Sequence, residues 1–257
     1  MQLNFSAAFH RASKDHNAGR TRPIPGNDAL WPPEWTTTYY KSYPRFRKIP
    51  LEKTDLTSDL FECIGKRRSV RSFPSEPVSK THLSTLLQHA CGIVERYADK
   101  NPRRAYPSGG ARYPIEIYTL VFAEKGEISP GLYHYNVQDH ALDVLWERPF
   151  SADEIGTLFT YKWAQGASCA IVMTAVFQRT QMKYAERGYR YVLLEAGHIG
   201  QNICLVANAV GLACCPIVGT YDTPLERLID IDGVTESVVY ALALGYPHDG
   251  SPPQASR

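Results

Sequence analysis

The sequence lacks the patterns that mark several common classes of protein. Its 257 residues carry 28 Lys and Arg against 26 Asp and Glu, so it has no excess of basic charge of the kind that binds nucleic acid. No apolar run is long and pure enough to span a bilayer. The first residues also contain no apolar segment typical of a signal peptide. We therefore expect a cytoplasmic protein that binds neither nucleic acid nor a membrane.

Motifs for metal and nucleotide binding are missing as well. The six cysteines form no CxxC pair, and no cluster of His and Cys has the spacing of a zinc site, so we predict no metal centre. The sequence contains neither the GxGxxG pattern of dinucleotide folds nor the P-loop pattern. The adjacent Cys214 and Cys215 are predicted to be small buried hydrophobic residues at a helix end, with redox activity as the alternative.

Two regions are predicted, an arm and a main domain. Residues 1–56 are rich in Pro, Trp, Tyr and charge, and the prolines of Pro23–Trp35 argue against a regular helix there. We predict an extended N-terminal arm over 1–56 that packs against the body or a partner subunit, the alternative being a floppy leader. Residues 57–257 would then form the main domain.

Hydrophobic periodicity and capping residues predict that this domain mixes helices and strands. Helix starts are predicted at Thr57 or Ser58, at Ser79 and at Ser151. Buried strands are predicted over 115–123 and 167–177, a hairpin begins at GLYHY, and a last strand covers ESVVYALALGYP. Because these elements do not alternate as βαβ units, we predict an α+β fold rather than a doubly wound sheet.

The longest helix candidate covers Tyr189–Leu212. It contains VLLEAGHIGQNICLVANAVGL, which is apolar on nearly every face, and its glycines and alanines permit close approach of other elements. We therefore predict a central helix that is buried on all sides and shared with a second subunit.

Two short stretches have the chemistry of an anion site. RRSVRSF, at 67–73, follows a short helix and offers guanidinium groups, which suit phosphate oxygens, together with a serine hydroxyl. RRAYPSGGARYP, at 103–114, has two adjacent glycines that let backbone N–H groups approach a ligand. Taken alone, each stretch is more simply explained as a solvated basic turn or a turn before a strand.

Taken together, the motifs resemble those of the FMN-dependent nitroreductase superfamily. The resemblance sharpens toward its SagB-type branch, the dehydrogenases of thiazole/oxazole-modified peptide synthetases. The matching motifs are RRSVRSF at 67–73, PSGGARYPIE at 107–116, GLYHY at 131–135, EAGHIGQN at 195–202 and PIVG at 216–219, and AFHRASKDH at 8–16 resembles the branch's leading segment. The resemblance implies a nitroreductase-like fold, with a central mixed or antiparallel sheet flanked by helices, and a homodimer with a buried central helix.

The resemblance also implies an FMN site. By motif position, the phosphate and ribityl side would be held by Arg67, Arg68, Ser69 and Arg71. The flavin edge would lie against Pro107, Ser108, Gly109 and Gly110, and the isoalloxazine near Ile217, Val218 and Gly219. Two positions depart from the family pattern. Ala111 replaces the usual Asn, which leaves Gln201 or Asn202 to contact the flavin edge, and after the GYP at 245–247 only Arg257 remains as a basic residue for the phosphate.

The SagB-type branch oxidises thiazoline or oxazoline rings in a peptide to thiazole or oxazole, with a hydride passing to the flavin and a proton to a base. The matching base is the pair Lys183 and Tyr184, whose ordinary pKa values are about 10.4 and 10. Burial, or the nearby basic residues Arg179, Arg187 and Arg190, would have to lower the lysine pKa. His198 is interpreted as a residue that packs inside. Without the family, an exposed loop lysine and a packing tyrosine would be preferred.

The implied partners are an azoline-containing precursor peptide, a second copy of the chain and a cyclodehydratase. Three other functions stay open: an NAD(P)H-dependent nitroreductase or quinone reductase, an oxidase of a carrier-tethered nonribosomal intermediate, and an inactive scaffold subunit. Ala111 and the Lys183–Tyr184 pair disfavour the reductase, and the complete arginine cluster disfavours the scaffold.

Overall fold

One seven-stranded antiparallel sheet organises the protein. The structure, a computed structural model, describes residues 28–74, 76–95 and 102–248. The sheet strands are β1 Lys48–Pro50, β4 Ile115–Val121, β5 Gly131–Asn136, β6 Ala141–Glu147, β7 Cys169–Val176, β8 Ala213–Ile217 and β9 Glu236–Gly245, and β2 Ile93–Glu95 pairs separately with β3 Arg103–Arg104. Their order is β1-β6-β5-β4-β7-β9-β8, with every pairing antiparallel. The predicted α+β fold is confirmed.

Seven α-helices of the described residues flank this sheet. They are α1 Pro33–Thr36, α2 Leu60–Lys66, α3 Lys80–Cys91, α4 Ala152–Gly156, α5 Gln178–Tyr184, α6 Arg187–Ala209 and α7 Asp222–Ile229. The predicted N-caps Ser79 and Ser151 each accept a backbone N–H at 3.1 Å. The predicted cap of α2 is wrong, because Asp59 Oδ1 accepts the Glu62 N–H at 2.7 Å. Asp is as good an N-cap as Ser, so the propensities alone did not separate them.

The two faces of the sheet have different partners. Ile117, Ile171 and Leu242 lie on the face that α3 and α6 cover. Leu120 and Val172 belong to the core on the opposite face. Strand side chains alternate between faces, so β4 and β7 contribute to both cores.

The described part of the predicted arm is not simply extended. Residues 33–36 form one helical turn, because Pro33 occupies the first helical position, where its missing N–H costs nothing. Residues 48–50 join the sheet edge as β1, with Ile49 opposite Leu142. The segment at 8–16 and Arg257 lie outside the described residues. The boundary between 56 and 57 stays a prediction.

A buried polar network joins the arm and α5 to the sheet. Lys41 Nζ lies 2.6 Å from the Tyr118 hydroxyl and 2.5 Å from Glu236 Oε2. Arg179 of α5 lies 2.6 Å from Glu116 Oε1. Moving one partner of a buried ion pair away leaves an uncompensated buried charge, so separating these side chains is unfavourable in free energy. The network therefore fixes the position of α5 on the sheet.

Helix α6 is long and central, but it is not buried on all sides within one chain. Leu193, Leu194 and His198 are exposed, whereas Val192 and Ile199 are buried. Among the described residues, no element covers this face of α6, so His198 does not pack inside the single chain as predicted. Burial of this face by a second subunit stays a prediction. Within the described ranges, no helix is both long enough and apolar enough to cross a membrane.

Candidate functional site

The loop between β3 and β4 is held in a strained conformation. Gly110, Ala111 and Tyr113 have φ values of +64°, +54° and +48°. A left-handed backbone costs a residue other than glycine about 1–2 kcal/mol, so tertiary contacts must hold the loop. Ser108 Oγ accepts the Tyr113 N–H at 2.9 Å, and Arg179 donates to the Tyr113 carbonyl at 3.1 Å.

Helix α5 brings the predicted base to this loop. A Cβ built on Gly110 would lie 2.5 Å from the Tyr184 hydroxyl oxygen and 3.3 Å from Lys183 Nζ. Only a residue without a side chain fits there, and the positive φ independently favours glycine. The structure thus brings together Lys183, Tyr184 and the Pro107–Gly110 loop, which the sequence analysis predicted separately. No helix is predicted from the sequence over the segment that forms α5.

Lys183 is buried rather than exposed on a loop. Its side chain is 7% exposed, and its Nζ lies 3.4 Å from the centre of the Trp31 ring and 6.0 Å from that of Trp35. Burial lowers the pKa of Lys183, and the Arg112 guanidinium lowers it further. Burial raises the pKa of Tyr184. Arg112 therefore lowers the pKa of Lys183, an effect that the sequence predicts for Arg179, Arg187 and Arg190.

Arg112 ties the arm to the site. It is fully buried, and its guanidinium donates to the carbonyls of Trp35, Glu34 and Thr37 at 2.7, 2.8 and 2.5 Å. Its Nε donates to the Arg179 carbonyl at 3.1 Å. The role of Arg112 is not predicted from the sequence because its partners are backbone atoms distant in sequence. The available signal was an arginine inside the otherwise uncharged stretch PSGGARYP.

The predicted phosphate clamp runs beside β8. Val70 N–H donates to the Cys214 carbonyl at 3.1 Å, and Arg67 Nη1 lies 3.5 Å from Ser69 Oγ. Neither Arg67 nor Arg71 forms an ion pair with a carboxylate among the residues that the structure describes. Arginines without an internal counter-ion leave positive charge available to an anion.

Two details of this region differ from the expectations. Arg68 donates to the carbonyls of Gly65 and Arg67, each at 2.8 Å, so its guanidinium is turned to the end of α2. Cys214 and Cys215 lie in β8 and not at a helix end. A short apolar run does not distinguish a buried strand from a helix end, which explains the error. The buried thiols nevertheless occupy the core, as the packing interpretation predicted.

A cavity of about 170 Å³ adjoins the clamp, and Arg67, Cys204 and Asn208 contribute to its walls. At the end of β8, Ile217 is fully buried, and Val218, which follows the strand, is 80% exposed. A Cβ on Gly219 would lie 2.1 Å from Thr160 Oγ1, so this glycine permits a close approach of two backbone segments.

The clamp and the glycine loop contact different parts of α6. The loop contacts the helix through Tyr191, which lies 3.3 Å from the Cβ position of Gly109. The clamp approaches it near Cys204. At 1.5 Å per residue, these points are about 20 Å apart along the helix. Of the candidates for the flavin edge, Gln201 is exposed, and Asn202 donates to the Ala105 carbonyl at 3.0 Å.

Comparison with known proteins gives matches to one family. The profile of the Nitroreductase family matches residues 64–246. The protein MJ1384 of Methanocaldococcus jannaschii, named as a nitroreductase, is 31% identical over 172 residues, covering 67% of this chain and 84% of that protein.

Two further relatives are named as processing proteins. TfxB of Rhizobium leguminosarum bv. trifolii, the trifolitoxin-processing protein, is 29% identical over 204 residues, covering 76% of this chain and 54% of TfxB. McbC of Escherichia coli, the microcin B17-processing protein, is 29% identical over 171 residues, covering 61% of this chain and 60% of McbC. The matches thus span little more than half of either relative. They agree with the predicted SagB-type branch.

Solved structures share the fold. A nitroreductase from Anabaena variabilis has a TM-score of 0.69 at 25% identity, covering 95% of this chain and 46% of that one. A chain of the E. coli microcin synthetase McbBCD complex, solved with truncated pro-MccB17 bound, has a TM-score of 0.63 at 21% identity, covering 95% and 92%. A nitroreductase from Desulfovibrio desulfuricans in complex with FMN has a TM-score of 0.52 at 20% identity, covering 78% and 92%. The family profile, MJ1384 and the shared fold together show that this chain belongs to the nitroreductase family.

Proposed function

We propose that this protein is an FMN-dependent dehydrogenase that oxidises thiazoline or oxazoline rings in a ribosomal peptide to thiazole or oxazole. The observation that carries the proposal is the meeting of Lys183 and Tyr184 at Gly110, because an amine with a lowered pKa lies at a glycine-rich loop of an oxidoreductase family. The relatives TfxB and McbC, which are named as processing proteins, support a peptide substrate. The McbBCD complex supports an assembly with other subunits, such as a cyclodehydratase. We propose a cytoplasmic location for this system.

The residues present fit FMN at two places. Arg67, Ser69 and Arg71 supply donors without internal carboxylate partners in the described chain, which suits a phosphate. Gly110 is exposed and Gly109 is half-buried, and without side chains they let a flat ring approach the backbone of this loop. When bound, FMN supplies the acceptor for the hydride that leaves the azoline ring.

Lys183 is the proposed base for the proton that leaves the neighbouring ring carbon. Because its pKa is lowered, a larger fraction of the amine is free near neutral pH than for an exposed lysine. The Tyr184 hydroxyl, beside the same glycine, assists by orienting the amine and the ring. The centre of the Trp31 ring lies 3.4 Å from Lys183 Nζ. An azoline ring that reaches this amine would therefore displace the Trp31 ring.

The test begins with the absorbance spectrum of the purified protein and the mass of the released cofactor. We expect a flavin band and the mass of FMN, and then, with a synthetic azoline peptide in air, the loss of two hydrogens per ring. A colourless protein that rejects added FMN would contradict the proposal and favour a scaffold. A bound flavin that NADPH bleaches rapidly, with azoline peptides unchanged, would favour the reductase.

We also propose that the protein is a homodimer whose flavin sites draw on both subunits. The exposed apolar side chains on α2 and α6 support this: Leu60, Phe61, Ile64, Leu193 and Leu194. Apolar surface of this kind is stabilised when a partner removes it from water. The separation of the clamp from the glycine loop along α6 also fits a site that one subunit completes for the other.

Replacing Leu194 by aspartate is expected to yield a monomer that retains little flavin. Leu194 is 62% exposed in the single chain, and a charge at that position would be desolvated without a partner in the dimer. Light scattering after gel filtration would measure the mass against the 28.9 kDa of one chain. Val234→Asp is the control, because Val234 is 78% exposed and lies outside α2 and α6. A Leu194→Asp dimer with full flavin content would exclude this interface.

A further inference from the structure

Two thiols meet where the end of α6 lies beside β8. Cys204 Sγ lies 3.8 Å from Cys214 Sγ, in hydrogen-bond contact, and both side chains are buried and free of disulfides. Redox activity is the alternative that the sequence leaves open for the adjacent Cys214 and Cys215. Successive strand residues point to opposite faces, so Cys214 joins the core that contains Cys204, and Cys215 joins the core on the other face. The thiols that meet are therefore ten positions apart in sequence.

The surroundings make Cys204 the more reactive of the two thiols. The hydrogen bond with Cys214 lowers the pKa of Cys204, burial opposes this effect, and the Arg67 guanidinium lowers the pKa further. The same hydrogen bond and burial raise the pKa of Cys214. Burial also raises the pKa of Cys91 and of Cys169 to about 12. Because the thiolate is the form that reacts with oxidants, Cys204 is the expected nucleophile and Cys214 its partner.

The structure also provides room for the reaction. Both thiols line the cavity of about 170 Å³ that has Arg67 in its wall. One water molecule occupies about 30 Å³ in the liquid, so a molecule as small as hydrogen peroxide fits. A disulfide bond is about 2.05 Å long, so the two sulfur atoms must approach each other by roughly 1.8 Å. The turn after α6 leaves space for this shift, because a Cβ built on Gly211 would meet no atom within 4 Å.

We propose that Cys204 and Cys214 form an oxidation site, at which hydrogen peroxide converts the two thiols to an intramolecular disulfide beside the phosphate clamp. The Cys204 thiolate attacks one peroxide oxygen, the O–O bond breaks, and the departing hydroxide takes a proton from solvent to become water. Cys214 then gives up its proton and attacks the sulfenic sulfur, so that the S–S bond forms and a second water leaves. The two sulfurs lose two electrons in total, and peroxide gains them.

The oxidation site adjoins the clamp through the backbone of β8. The Cys214 carbonyl accepts the Val70 N–H at 3.1 Å, and Ser69 pairs with Cys214 in a parallel bridge. A disulfide would therefore tie the end of α6 to the strand that positions the clamp. The inference rests on the proposed function only for a local source of peroxide, which is the two-electron product of dioxygen when azolines are oxidised in air.

The test treats the reduced full-length protein with hydrogen peroxide, then alkylates it in denaturant and measures its intact mass. The natural protein should lose two of its six alkylatable thiols, and dithiothreitol should restore both. Cys215→Ala is the matched control and should form the same disulfide, because Cys215 faces the other core. Cys204→Ala and Cys214→Ala should each form no intramolecular disulfide.

Peptide mapping of the natural protein gives a second answer if an alanine variant fails to fold. Alkylation with one reagent before reduction and another after it should mark Cys204 and Cys214 as the oxidised pair and leave Cys215 with the first reagent. Retention of all six thiols, oxygen addition without a disulfide, or loss of the disulfide in Cys215→Ala would overturn the inference. A protein that forms the disulfide but binds no FMN and oxidises no azoline would refute the proposed function and leave the oxidation site standing.

Discussion

Replacing Lys183 by alanine is expected to slow azoline oxidation by about a hundredfold to ten-thousandfold while FMN stays bound. A positioned base contributes that much because it removes the proton as the hydride leaves. Single-turnover oxidation of a synthetic azoline peptide, with flavin content measured on the same sample, would check this.

The pH dependence provides a second readout of the same prediction. A lysine is a base only when neutral, so the rate should rise with pH through the lowered pKa of Lys183 and then level off. In Lys183→Ala that rise should vanish. Lys53→Ala removes an exposed lysine outside the site and should change neither rate nor profile. Full activity in Lys183→Ala would remove the base assignment and leave the FMN proposal untouched.

The second large effect is expected from Arg67→Ala combined with Arg71→Ala, which should weaken FMN binding by at least about a hundredfold. Hydrogen bonds to charged groups contribute about 1.5–3 kcal/mol each, and two such losses correspond to this factor or more. Arg67 is half-buried and Arg71 is exposed, which places the expectation at the low end. Titration of apoprotein with FMN, followed by flavin fluorescence, would measure the change.

Arg68→Ala is the matched comparison within the same motif. Because its guanidinium donates to the carbonyls at the end of α2, its loss should weaken FMN binding less than loss of Arg67. Equal losses would show that Arg68 turns toward the phosphate when the cofactor binds. Unchanged affinity in the double variant would show that the phosphate is held elsewhere, and the clamp proposal would fall.

Much of the secondary structure could be predicted because its causes are local. Ser79 and Ser151 start helices because the serine hydroxyl oxygen accepts a hydrogen bond from the backbone N–H three residues later. This bond forms wherever the helix lies in the fold. Alternating and continuous apolar runs predicted β4 and β7 for the same reason. Strand β8 was missed because its five residues have no period of their own.

The sequence by itself determined the family, the residue types of the candidate site and most element positions, because motifs and periodicities are local properties of the chain. Only the tertiary structure decided which groups meet. Burial lowers the pKa of Lys183, and three backbone carbonyls of the arm engage Arg112. Burial and contact depend on residues distant in sequence, so no local pattern could have predicted them.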